Sequence, residues 1–124
     1  VKEWRSREVR AFRSAGAGIW EALRSERHMR FHAAAGLAVV LLGGLLRVSR
    51  EDWLWLLAAI ASVWTAELFN AAIERTVDRI SPEKHPLAKA AKDSAAGAVL
   101  VTAVFAAAVG AIVLGPPLWR LCFE

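Results

Sequence analysis

Three carboxylates and one carboxamide recur at helical spacing in a single short segment of the chain: Glu67, Asn70, Glu74 and Asp78. With about 100° of turn per residue and Glu67 set at zero, Asn70 falls near −60°, Glu74 near −20° and Asp78 near +20°. The four groups share one helical face in a stripe about 80° wide, running roughly 16 Å along the axis at about 1.5 Å per residue. Two kinds of chemistry suit such a stripe. One is pairing between helices, each carboxylate meeting an Arg or Lys of a neighbour. Three acids on one face repel one another, so that reading needs as many cations. The other is a metal or catalytic site. Mg²⁺ takes carboxylate oxygens, usually one or two, together with phosphate oxygens of a nucleotide. A single ion then neutralises much of the stripe, and this second reading is preferred.

The elements that must carry the stripe follow from where the apolar residues lie. Of the 124 residues, 56% are hydrophobic and 23% are charged. Soluble proteins average about 45–50% apolar with glycine included, so both figures hold only if the two kinds of residue are segregated along the chain. The composition excludes a disordered chain, a collagen-like repeat and, with Cys122 as the single cysteine, a disulfide scaffold. It also argues against a soluble α/β enzyme, because a small soluble domain cannot hide this much apolar surface.

The segregation is plain on inspection. Ala33–Leu46 has no polar side chain, and Met29 and Phe31 extend it backward. Trp53–Ala66 is interrupted only by Ser62 and Thr65, and continues past Glu67 as Leu68–Ile73. Ser94–Trp119 is uncharged for 26 residues. A helix needs about 20 mostly apolar residues to cross hydrocarbon. These stretches predict three spans, at about residues 29–47, 53–73 and 94–119. Lipid admits only helices or closed barrels, and alternation of period two is absent. The fold class is therefore all-α and integral to a membrane, a single membrane-embedded domain.

Basic residues set the orientation. Residues 1–30 hold eight, the turn Arg47–Asp52 two, Glu74–Asp93 five and the C-terminal tail Arg120 alone. The N-terminus and the second connection are expected to face the cytoplasm, and the first turn and the C-terminus the outside. Within residues 1–28, Trp4, Val9, Phe12, Ile19, Trp20 and Leu23 interleave with arginines. That pattern predicts an amphipathic helix in the interface, its basic face toward anionic headgroups. The excess of positive charge is thus assigned to lipid and not to nucleic acid.

On this plan Glu67 is the deepest of the stripe, and ionisable groups at membrane depth are costly and usually functional. Glu26 stands at the cytoplasmic mouth of the first span, level with Glu74. Lys92 and Asp93 open the third span; the acid suits a helix start, and the lysine suits a neighbouring anion such as phosphate. His85 precedes Pro86 and is expected in a turn. Phosphate-loop, dinucleotide-fingerprint, metalloprotease and zinc-finger spacings are all absent. Small residues at Gly97, Ala98, Ala106–Ala108, Gly110 and Ala111 allow close helix approach, within one chain or between chains.

The run Glu67-Leu-Phe-Asn70-Ala-Ala-Ile-Glu74-Arg-Thr-Val-Asp78-Arg79-Ile80, followed by Ser81-Pro82-Glu83-Lys84-His85-Pro86-Leu87-Ala88-Lys89-Ala90-Ala91-Lys92-Asp93, resembles the signature of the prokaryotic integral-membrane diacylglycerol kinase family. That family includes the undecaprenol kinases of Gram-positive type. The resemblance covers about Phe12 to Leu114. It implies an interfacial helix, three spans, a homotrimer with sites shared between neighbouring subunits, a bacterial inner membrane, and transfer of the γ-phosphate of MgATP to a lipid hydroxyl. It further implies Glu67 as general base, and Glu26 and Glu74 as the carboxylates that hold Mg²⁺ on the nucleotide. Asn70, Asp78, Lys92 and Asp93 become polar residues of the site, and Glu83, Lys84 and His85 a loop that contacts nucleotide. The stretch Ser25-Glu26-Arg27-His28-Met29-Arg30-Phe31-His32 is similar to the undecaprenol kinase branch. The enterobacterial diacylglycerol kinases have an acid where His32 stands. The acceptor implied is therefore undecaprenol, with diacylglycerol second. A non-catalytic scaffold or a small carboxylate-dependent transporter is the alternative of another class. Transport needs a polar path on both sides of Glu67, whereas Trp53–Val63 offers only Ser62.

Overall fold

The computed structural model describes the whole chain, Val1–Glu124, as four helices without strands. They are α1 (Lys2–Ser25), α2 (Arg27–Leu45), α3 (Arg50–Ile80) and α4 (Pro86–Phe123). The last three are long and apolar enough to cross a membrane. Each is bounded by local chemistry. Between α1 and α2 the backbone turns extended at Glu26 (φ −102°, ψ 116°). Arg30 then reaches back, its guanidinium donating to the carbonyls of Arg24 (2.7 Å) and Leu23 (3.3 Å). A cation on the open carbonyls of a helix C-terminus offsets both their lost hydrogen bonds and the dipole.

The α2–α3 turn is tighter than the expected Arg47–Asp52 connection. The Val48 N–H donates to the Gly43 carbonyl and the Arg47 N–H to the Gly44 carbonyl, with Arg47 left-handed at φ 52°. This is the paired closure that ends many helices, with arginine in the position glycine prefers. Ser49 caps α3 by accepting from the Asp52 N–H at 3.1 Å, and Glu51 and Asp52 fill the first turn, where acids suit the dipole. So Arg50, Glu51 and Asp52 belong to the helix and not to the loop.

The second connection is also shorter than expected. Charged Glu74–Asp93 suggested a long polar link, but α3 runs on to Ile80 and α4 starts at Pro86, leaving only Ser81–His85 between them. Lys92 and Asp93 lie inside a helix that opens earlier, at Pro86, and not at its first turn. The physical reason is common to these differences. Hydrophobicity marks where a helix meets hydrocarbon, whereas a helix stops only where a cap, a proline or a turn stops it. His85 supplies that cap: its Nδ1 accepts from the Leu87 N–H at 3.1 Å, with Pro86 at the first helical position.

α3 is the centre of the bundle. It packs along α4, more briefly on α2, and touches α1 near its end. Leu56 and Ala59 of α3 meet Val109, Val113 and Leu114 of α4, and Val39, Leu42, Trp53 and Leu118 close around them. Gly36 and Gly43 let α2 approach: a Cβ at Gly36 would lie 3.3 Å from Ile60 Cγ2, and one at Gly43 would lie 3.0 Å from the Trp53 ring. Only 14 of 124 residues are buried, and Leu41, Leu45, Leu100, Val101 and Ile112 stand in the open. In water that much uncovered apolar surface would drive association. On spanning helices it is the face that lipid or another protein chain requires.

Candidate functional site

Glu67 is the sole charged residue in the buried set, 5% exposed. Its Oε1 lies 3.1 Å from Nε2 of His32, which approaches from α2. Three residues earlier on the same face of α3, the Trp64 indole N–H donates to the His32 carbonyl at 3.3 Å. One turn beyond Glu67, the Oδ1 of Asn70 is buried and accepts no hydrogen bond. A buried acceptor left open is uncommon and costly. Glu67 and Asn70 are thus brought together at the inner level of the stripe, as expected.

The upper part of the stripe opens to solvent and divides. Asp78 forms an ion pair with Lys92 of α4. Glu74 has no ion-pair partner, although its negative charge is felt at Lys92. Glu26 faces the next residue of α3 instead: Arg75 lies 3.5 Å from its Oε1 and donates to Ser25 Oγ at 2.6 Å. Lys89 and Asp93 pair along α4 at 2.5 Å. Pairing between helices, one of the two kinds of chemistry weighed for the stripe, is therefore present at two of its acids. Glu67 and Asp78 meet a partner base, and Glu74 is left over.

A cavity of about 650 Å³ lies where α3 ends and α4 begins. Asp78, Glu83, Lys84, His85, Lys92 and Asp93 line it, so six of the candidate residues converge there. Glu26, Glu67, Asn70 and Glu74 are not in its lining. The hydrogen bond to Asp78 holds the Lys92 ammonium above the ordinary lysine value of 10.5, and the Asp93 carboxylate does the same for Lys89. Both cations are therefore fully charged at neutral pH, each paired with a carboxylate of the same lining, in a pocket sized for a small ligand.

Within one chain no three His, Cys, Asp or Glu residues gather closely enough to make a metal site of their own. The donors present fit Mg²⁺ in a different way. Glu26 and Glu74 are hard oxygen donors, and Mg²⁺ usually takes only one or two carboxylates when phosphate oxygens complete its shell. A metal arriving with a nucleotide suits this donor set; a resident metal does not.

Two residues of this region escaped the pattern of the stripe. Arg75, next to Glu74 and outside the stripe, engages Glu26. His32 stands far from Glu67 in sequence, and helical periodicity says nothing about contacts between separate helices. The one available signal was a lone imidazole at the start of an apolar run, where a polar ring needs a partner.

The model of the prokaryotic diacylglycerol kinase family matches residues 13–114, a stretch that contains every candidate residue. The chain is 47% identical over 113 residues to the undecaprenol kinase of Bacillus subtilis, covering 91% of this chain and 92% of that one. It is 40% identical over 112 residues to a diacylglycerol kinase of Synechocystis, covering 90% of this chain and 64% of the relative. It is 33% identical over 110 residues to the diacylglycerol kinase of Escherichia coli K12, covering 86% and 89% respectively.

Proposed function

Because this chain belongs to the prokaryotic diacylglycerol kinase family, we propose that it is a lipid kinase of the bacterial inner membrane that transfers the γ-phosphate of MgATP to undecaprenol. The observation that carries the reading is the arrangement along α3. A buried carboxylate, Glu67, sits two helical turns below the unpaired Glu74, and a cavity with cationic groups on its rim opens beside Asp78. At about 1.5 Å per residue, Glu67 and Glu74 are separated by roughly 10 Å along the axis. A lipid alcohol can then arrive from within the bilayer while ATP arrives from the cytoplasm.

Phosphoryl transfer depends on positioning and charge neutralisation more than on covalent chemistry. In the proposed step the lipid hydroxyl oxygen bonds to the γ-phosphorus as the bond to the bridging oxygen breaks and ADP leaves. The hydroxyl proton passes to the Glu67 carboxylate, acting as general base. Lys92 and Lys84 offset phosphate charge at the cavity, and Glu83, His85 and Asp93 contact the nucleotide from the loop and α4. Asp78 holds Lys92 in place, and Asn70 carries a buried Oδ1 open to a donor one turn beyond Glu67. When bound, Mg²⁺ would be held by Glu74 and Glu26 and would neutralise charge on the phosphates.

Undecaprenol is preferred over diacylglycerol because identity is higher, and spans nearly both chains, with the relative named for undecaprenol. We place α1 in the interface, with Trp4, Phe12 and Trp20, all uncovered, toward the acyl region. The N-terminus is placed in the cytoplasm and the C-terminus outside. A homotrimer is favoured by the scarcity of buried residues and by the open space beside Gly97 of α4. The test is phosphate transfer from MgATP by the purified protein to undecaprenol and diacylglycerol side by side. Faster transfer to undecaprenol is expected. No transfer to either alcohol removes the kinase reading in favour of a scaffold or transporter, and equal rates remove the substrate preference.

A further inference from the structure

We propose that His32 is the positioning residue for Glu67, holding one carboxylate oxygen so that the other is presented to the acceptor hydroxyl. The inference rests on the reading of Glu67 as general base. His32 Nε2 and Glu67 Oε1 are 3.1 Å apart, with the two side chains 18% and 5% exposed. At that distance the ring nitrogen and the carboxylate oxygen are in direct polar contact. Oε1 is engaged by this contact, which leaves Oε2 as the oxygen able to accept a proton from substrate.

The imidazole is itself held in place. Trp64, one turn before Glu67 on α3, donates to the His32 carbonyl at 3.3 Å. Gly36, one turn after His32 on α2, lies against the same stretch of α3: a Cβ there would be 3.3 Å from Ile60 Cγ2 and in ordinary contact, 3.5 Å, with Trp64 Nε1. The Phe31 ring meets His32 edge-on, with centroids 5.3 Å apart. Four side chains on two helices thus form a clasp whose product is the placement of one imidazole against one carboxylate. His32 is also the sole ion-pair partner of Glu67. A buried carboxylate without a partner is costly and would turn toward whatever donor it could reach. Within the clasp it is kept at one angle, and catalysis by a base requires hydrogen-bond reach in a defined direction.

The test compares His32→Leu, His32→Gln and Glu67→Gln in the full-length protein reconstituted in bilayers, measuring kcat, the KM for MgATP and MgATP binding. His32→Leu is expected to lower kcat about thirtyfold or more while the KM for MgATP stays within about twofold, the split that marks loss of a transition-state interaction. His32→Gln places an amide N–H near the position of Nε2 and is expected to recover about tenfold of that loss. A His32→Leu enzyme with kcat within about threefold of wild type overturns the inference, and so does a KM for MgATP that rises in step with the fall in kcat. If His32→Leu fails to bind MgATP, His32→Gln decides. Turnover near wild type with MgATP bound upholds the role, and turnover as low as Glu67→Gln overturns it. Failure of the underlying reading looks different: Glu67→Gln then keeps near-normal turnover, whatever the His32 variants do.

Discussion

Glu67 and Glu74 are the same kind of side chain on the same helix, and their surroundings differ. Glu67 is buried against an imidazole, whereas Glu74 is half-buried and unpaired. Glu67→Gln keeps the shape and removes the base, so turnover is expected to fall about 10²–10⁴-fold, the usual weight of general base catalysis. MgATP binding, measured by calorimetry, is expected to stay within about twofold, because Glu67 is buried against His32 two helical turns from Glu74, the carboxylate proposed to hold Mg²⁺. Glu74→Gln is expected to do the opposite and raise the MgATP dissociation constant about tenfold or more, a loss of about 1.4 kcal/mol. Lys92 carries a pH dependence of its own. Its pKa is raised by the hydrogen bond to Asp78. A raised folded-state pKa means that the stabilisation is complete below the unfolded value and is lost only as pH climbs past the folded one. The melting-temperature difference between wild type and Lys92→Met is therefore expected to be flat from about pH 6 to 9 and to narrow only above the ordinary value of 10.5. The difference itself is small, because the pair is exposed.

The helices owe their ends to caps and their separations to small residues. Arg47 occupies a left-handed position that costs a side chain about 1–2 kcal/mol. Arg47→Gly is expected to raise stability by about 1 kcal/mol, read as an increase in melting temperature in detergent. Gly43 and Gly44 are adjacent on α2 and offer a matched comparison. An added Cβ at Gly43 would meet the Trp53 ring at 3.0 Å and Leu56 at 3.3 Å, whereas at Gly44 nothing lies within 4 Å. Gly44→Ala is expected to be neutral or stabilising by up to about 1 kcal/mol, the helical advantage of alanine over glycine. Gly43→Ala is expected to lower the melting temperature, because the Trp53 contact is part of the packing of α2 on α3. Equal melting temperatures for the two variants would remove Gly43 as a packing determinant.

At the scale of the whole molecule, one chain has too little interior for its task. The buried set is small, the glycine-bearing surface of α4 is open, and a buried amide oxygen at Asn70 lacks a donor. A homotrimer would cover such surface and bring a second chain's residues to the site. Sedimentation in detergent is expected to give three chains per particle. Gly97→Leu, at a position with nothing within 4 Å of an added Cβ, is expected to shift particles toward monomer while leaving helix content by circular dichroism unchanged.

What the sequence by itself determined is one-dimensional: three apolar lengths that suit a bilayer, a basic amphipathic start, and a stripe of acids whose periodicity puts them on one helical face. Those properties depend on composition and on the turn per residue, so they were readable before any fold was known. The level of Glu67 and Asn70 below Glu74 and Asp78 follows from the same arithmetic. Helix ends were less legible, because Arg47, Ser49, Arg30 and His85 act through hydrogen bonds to the backbone and not through hydrophobicity. The tertiary structure alone decided which partners the stripe meets. Glu67 faces His32, Asp78 faces Lys92, Glu26 faces Arg75, and Glu74 is left free. Such pairings join residues far apart in sequence that are brought together by the packing of separate elements, which no periodicity along one helix encodes.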